Sequence, residues 1–487
     1  MKAKVLDQVH NQLSDLLDKT LEEAAHSRPQ QLSVVPMKIF GSQILSNDLQ
    51  LPISPNIYYL LAGNLSLFYS TLLEVEHFCT IHHIFVAILC IFILKQIIVD
   101  SIDEGRLVLD FEICITGFRQ LHTAALFAWL CMFLYTLFVP YQALQIWSGC
   151  LKMTRFPNLL TVTLVVVVLL CHAAMLGFFP IYIVVNSNLG IASCVVVLFE
   201  QIRFLLKSYS FLRESMPPLL HARDQISPPE FSTYLYFLFC PTLIYRKSYP
   251  RDPYIRWSYV KFFLCVPQFL ACIYFLNFIL KYYVIPNFSN MHKQPFTIKI
   301  QLLSIFDSAL PGICSLLMMS YGFLDCWPNM FAEILRFADR SFYKDWWNST
   351  AFSAFFRSWN VTVHDCLYCY IYQDFLWLTG GRARAGAILI IFLLSAVSHE
   401  YILILSFGFF CPVLFVLFAG TGVFFNFVFN DKRKGPVWNI IIWICLFLGP
   451  ANMFSFYSQE FFAHLHCPLK EKTFWGLVTP RSWYCHP

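Results

Sequence analysis

The sequence predicts an all-α polytopic membrane protein with nine transmembrane helices and membrane-associated helices in its longer loops. Three observations predict it. Of 487 residues, 58% are hydrophobic and only 13% charged, with a positive mean hydropathy, which is foreign to soluble globular proteins. Apolar runs of about 20 residues recur, the length that crosses a bilayer as a helix. Lys and Arg gather in alternate loops, the asymmetry that orients a polytopic chain. A net charge of +5 is too small to argue for nucleic acid as a partner.

In chain order, residues 1–27 carry no apolar core of the signal-peptide kind, so the first span is expected to act as the targeting signal and the N-terminus to stay in the cytosol. Leu6, Val9, Leu13 and Leu16 form a heptad seam, read as an oligomerisation helix or as an amphipathic helix lying on the membrane. Residues 28–73 are a linker punctuated by Pro29, Pro36, Pro52 and Pro55 and ending in an interfacial stretch. Spans are expected near 80–99, 121–140, 159–185, 191–210, 259–285, 301–327, 385–407, 409–429 and 437–457, within a nine-helix domain over 74–457. Loops 141–158, 211–258, 328–384 and 430–436 hold the basic residues, among them Arg246, Arg251, Arg336, Arg340 and Lys432, and are assigned to the cytosol. An odd number of spans then puts the tail 458–487 in the lumen. Cys467 and Cys485 lie in that polar tail and could pair in an oxidising compartment, whereas most of the 18 cysteines sit in apolar runs as small hydrophobes.

The span Ala387 to Phe410 is interrupted by Ser398-His399-Glu400-Tyr401. An ionisable side chain at mid-bilayer costs roughly 2.5 kcal/mol or more and usually faces a protein interior or a wet cavity. Ser395 lies one turn before His399 on the same face, while Glu400 points about 100° away. A catalytic histidine and a histidine that merely packs against a neighbouring helix stand level on this helix alone.

The loop 328–384 adds Phe342-Tyr343-Lys344-Asp345-Trp346-Trp347-Asn348 and, twelve residues on, Trp359-Asn360-Val361-Thr362-Val363-His364-Asp365. Its rings offer stacking for an adenine, and Lys344, Arg357, Arg382 and Arg384 offer charge for phosphates. An interfacial aromatic belt with snorkelling cations explains the same residues.

Phe342 to Asn348 resembles the signature of sterol and diacylglycerol acyltransferases within the membrane-bound O-acyltransferase family. Its motif residues are Phe342, Tyr343, Asp345, Trp346, Trp347 and Asn348. Tyr236-Phe-Leu-Phe-Cys-Pro-Thr-Leu-Ile-Tyr245, Phe375-Leu-Trp377, Ser395 to Tyr401, His466-Cys-Pro-Leu and Pro480-Arg-Ser-Trp483 are similar to the sterol enzymes, and Trp475 to Thr479 to their second isoform. The resemblance runs from about Glu74 onward.

It implies nine helices forming a funnel around His399, acyl-CoA entering from the cytosol, cholesterol entering from the bilayer, and a dimer or dimer of dimers in the endoplasmic reticulum membrane. His399 would be the general base and Asn360 a donor to the thioester oxygen. Acyl-CoA would meet Ala354, Arg357, Asn360, His364, Tyr372, Arg384 and Ser395, and His83 would approach the sterol. A sterol hydroxyl needs a base to attack a thioester, and burial disfavours imidazolium, leaving the ring able to accept. Neither a metal nor a cofactor is implied, since acyl-CoA is a substrate. His364, Cys366 and Cys369 have zinc-like spacing but no fourth ligand nearby.

This chain departs from the pattern at Ala354, Phe355 and Phe356, where Asn-Tyr-Tyr is usual, and at Asp325, where His is usual. Transfer onto diacylglycerol, a transporter with His399 as a gate, and a sterol-binding relative without activity are the competing readings.

Overall fold

The first long helix shows how apolar spacing sets the architecture. In α1 (Leu121–Met153) buried Leu144, Trp147 and Leu151 recur at helical intervals, so the helix runs through 141–153, expected as loop, to Met153. The computed structural model describes residues 111–485, apart from 222–226, 254, 256–258, 294–295, 429–434 and 468–477, together with helical turns between 87 and 102. The expected N-terminal helix, the linker and His83 lie outside the described residues.

The chain continues through α2 (Pro157–Asn186), α3 (Ile191–His221), α4 (Phe231–Phe239), α5 (Cys265–Phe288), α6 (Ile298–Asp307) and α7 (Ala309–Ile334). Then come α8 (Phe352–Trp359), α9 (361–378), α10 (Arg384–Phe407), α11 (413–428) and α12 (Pro436–His466). Among the described residues six helices are long and apolar enough to cross a membrane: α1, α2, α5, α7, α10 and α12. The expected count of nine is therefore met only in part. The span near 80–99 falls largely outside the description. α3 carries Glu200, Arg203 and Lys207 through its middle, α11 is short, and 301–327 breaks at Ser308 into α6 and α7.

Local chemistry places the ends. Pro157 and Pro436 open α2 and α12, where a missing N–H costs nothing. Gly408 closes α10 in the left-handed conformation at φ 76°. α7 ends in the same kind of turn without glycine. Arg336, at φ 52°, donates its N–H to the Glu333 carbonyl, and Phe337 donates to Ala332.

α3 packs against α1 and α10, and α12 packs against α7 and α6. Gly312 lets α7 approach closely, since a β-carbon there would lie 3.0 Å from the Pro450 carbonyl carbon of α12. The segments after α4 and α7 lock together. Arg340 bonds both Glu333 at 2.6 Å and Asp252 at 3.0 Å, and the main chains pair at Arg251 and Phe337. Cys467 and Cys485 are bonded, as the tail residues suggested, with Cα atoms 5.9 Å apart. Beside them the backbone N–H groups of Arg481 and Ser482 donate to the buried Glu460 carboxylate.

Candidate active site

Consecutive residues on a helix point about 100° apart, so His399, Glu400 and Tyr401 of α10 address three different neighbours. His399 Nδ1–H donates to the Ser395 carbonyl at 2.7 Å, and Ser395 Oγ lies 3.4 Å from the same nitrogen. A neutral imidazole protonated there carries its lone pair on Nε2. The ring stacks on Phe418 of α11, with centroids 4.7 Å apart and planes 13° apart, and it remains exposed among the described residues. Glu400, only 4% exposed, accepts from Phe415 N–H and from the Tyr457 hydroxyl of α12. Tyr401 donates to Gln201 of α3, whose amide in turn donates to the Leu176 carbonyl.

Asn360 stands at the corner between α8 and α9. Its Oδ1 accepts the Val363 N–H at 3.1 Å as the cap of α9, which orients the Nδ2 donors away from that helix. The aromatic motif holds this corner. Val361 N–H donates to the Phe342 carbonyl at 2.9 Å, and Lys344 N–H to the Ser358 carbonyl at 2.8 Å. Trp346 is buried against Phe355, Trp359 and Trp443, while the Trp347 carbonyl accepts from Asn439 and Trp443. Phe342 is buried, and Asp345 and Asn348 are exposed on the turn. The motif thus works here as a brace. Its rings join α7, α8 and α12 and seat the backbone on either side of Asn360.

α8 reaches α10 through rings. Phe356 meets Phe392 at 5.1 Å and Phe418 at 6.3 Å, so Phe418 touches both α8 and the imidazole. Phe356 fills this apolar contact, while Phe355 packs on the motif side against Trp346 and Trp359. The Ala354 carbonyl accepts from Ser358 Oγ, and Arg357 is exposed on the same helix. Along α9 the rings of His364, Tyr368 and Tyr372 stack at four-residue intervals, at 6.2 and 5.2 Å. Arg384 begins α10 in an exposed position, beyond the turn after α9. Cys366 and Cys369 pack with Leu243 and Ile244 in an apolar cluster. Asp325 accepts hydrogen bonds from Tyr343 and Asn329, so it braces the motif as well.

Several functional contacts escaped the sequence reading. Phe418, Tyr457 and Gln201 had no local signal, being partners chosen across helices. Glu200, Arg203 and Lys207 did, since they recur at i, i+3 and i+7 within one apolar run. Glu200 accepts from Trp129 at 2.6 Å and pairs with Arg203, and Lys207 is fully buried against carbonyls of the segment after α4.

An exposed imidazole on α10 and an amide corner between α8 and α9 sit within a helical membrane bundle whose sequence matches known proteins over its length. Sterol O-acyltransferase 2 of Homo sapiens is 48% identical across the whole of this chain and 91% of its own length. The protein of the same name from Mus musculus gives the same figures, and sterol O-acyltransferase 1 of Chlorocebus aethiops is 46% identical over 85% of this chain and 76% of its own. The profile of the membrane-bound O-acyltransferase family matches residues 113–459, from before α1 to near the end of α12. With the family profile matched over most of the chain and relatives 46–48% identical across most of it, the chain belongs to the membrane-bound O-acyltransferase family and is an acyltransferase.

Proposed function

We propose that the chain transfers a long-chain acyl group from acyl-CoA to the 3-hydroxyl of cholesterol, yielding cholesteryl ester and CoA. The observation that carries this reading is the protonation geometry of His399, whose Nδ1–H is tied to Ser395 and whose free acceptor is Nε2. Nε2 takes the hydroxyl proton as the oxygen attacks the thioester carbon, a role worth about 10²–10⁴ in rate. Asn360 Nδ2 donates to the oxyanion that forms, typically worth on the order of 10² or more. Collapse breaks the carbon–sulfur bond, and the imidazolium returns its proton to the departing CoA thiolate.

The stacked face of His364 and Tyr372, with Arg357 and Arg384, is assigned to CoA, Ala354 and Ser395 to the neighbouring acyl path, and His83 to the sterol. The names of the relatives support the sterol acceptor. We place the protein in the endoplasmic reticulum membrane as a homo-oligomer. Its N-terminus faces the cytosol and its disulfide-bonded tail the lumen, where such a bond persists. The scheme uses no cofactor or metal.

Purified protein given labelled oleoyl-CoA with cholesterol or with diacylglycerol tests the acceptor. Label is expected in sterol ester, and label only in triacylglycerol refutes it. His399→Ala is expected to abolish ester formation while leaving acyl-CoA binding intact, and full turnover by that variant refutes the base assignment.

A further inference from the structure

α11 begins without a cap of its own. Its N-cap position is Pro412, which has no side-chain acceptor, so the first-turn N–H groups need acceptors from elsewhere. Two other helices supply them. Phe415 N–H donates to Glu400 Oε2 of α10 at 3.0 Å, and Leu414 N–H lies 3.4 Å from the Tyr457 hydroxyl of α12. That hydroxyl in turn donates to both Glu400 oxygens, at 2.9 and 3.0 Å. One turn further along α11 stands Phe418, the ring stacked on His399. A carboxylate is well suited to this place, being an acceptor only and favoured beside the positive end of a helix.

We infer that Glu400, bridged by Tyr457, is a positioning residue for the imidazole: it caps α11 from outside and thereby holds Phe418 flat against His399. Neighbours in sequence thus do complementary work. His399 presents the acceptor, and Glu400, turned away from it, fixes the wall that sets the orientation of the ring. The same contact explains why a buried carboxylate sits beside a histidine it does not touch. This inference rests on the proposed role of His399 as base.

The test compares Glu400→Ala, Glu400→Gln, Tyr457→Phe and Phe418→Leu in the full-length protein. Glu400→Ala and Phe418→Leu are expected to lower kcat about tenfold, within the range carried by general-base catalysis, with KM for acyl-CoA unchanged within about twofold. Glu400→Gln, which retains an acceptor for Phe415 N–H, should recover most of the loss. Tyr457→Phe should fall between them. Carbethoxylation of His399, read at the imidazole band against a His399→Ala background, should accelerate in every variant that loosens Phe418.

The Glu400→Ala, Phe418→Leu double variant should be no slower than either single one, because both act through one contact. Multiplying losses, or an unchanged carbethoxylation rate in Phe418→Leu and Glu400→Ala, overturns the inference. Should Glu400→Ala fail to fold, Tyr457→Phe and Phe418→Leu carry the same comparison, with Glu400→Gln as the rescue. Full turnover by His399→Ala would instead overturn the base assignment itself, so the two failures are told apart.

Discussion

Replacing Lys207 separates the cost of an unpaired carbonyl from the cost of a hole. Its ammonium donates to the carbonyls of Phe237, Leu238 and Cys240 at 2.7, 2.9 and 2.7 Å, and it is 1% exposed. The reason lies in the sequence of α4. The carbonyl of Phe237 would normally accept from the residue four places on, which is Pro241 and has no N–H. In Lys207→Met, the Leu238 carbonyl keeps Arg203 Nη1 and the Cys240 carbonyl keeps Thr242 N–H. Only Phe237 is then left bare. One buried unsatisfied carbonyl costs about 1–3 kcal/mol, and relief from burying an ammonium offsets part of that.

Lys207→Ala leaves the same carbonyl bare and adds a cavity in a cluster of fully buried rings, for a further ~2–3 kcal/mol or more. Thermal unfolding in detergent, followed by size-exclusion chromatography, should therefore show Lys207→Met slightly below the wild type and Lys207→Ala well below both. Equal destabilisation of the two, or a wild-type midpoint in Lys207→Ala, would refute this account of why a cation is buried there.

Asn360→Asp should keep the α9 cap, and with it the unfolding midpoint, while losing the amide donor and on the order of 10² in turnover; a variant as active as wild type removes Asn360 from the chemistry. Asn360→Ala loses both, with about 1 kcal/mol of stability. Gly312→Ala should destabilise by about 1–3 kcal/mol, because its β-carbon meets the backbone of Pro450 and Ala451 at 3.0 and 3.1 Å; an unchanged midpoint would mean that α7 and α12 slide apart freely. Replacing Cys467 and Cys485 by serine opens a loop of sequence separation 18 and should cost about 3 kcal/mol. Reductant should lower the wild-type midpoint and leave the double variant unmoved.

Much of this protein can be read along the chain because the relevant physics is local. Apolar run length marked the six long helices, and the depth of His399 within one run made it a candidate, level on that helix alone with a histidine that only packs. The isolation of Cys467 and Cys485 in a polar tail pointed to their bond. What the chain could not reveal is which side chain meets which across helices, since that depends on the rotation and register of packed cylinders. Only tertiary packing brings Tyr457 to Glu400, 57 residues earlier, lays Phe418 on the imidazole, and seats Asn360 through a carbonyl of Phe342. It also decides element lengths. α1 runs to Met153 because Trp147 and Leu151 find a core to enter, and 301–327 divides because Ser308 ends one helix where the next begins. Local hydropathy tells which residues leave water, and only the fold tells what they meet when they do.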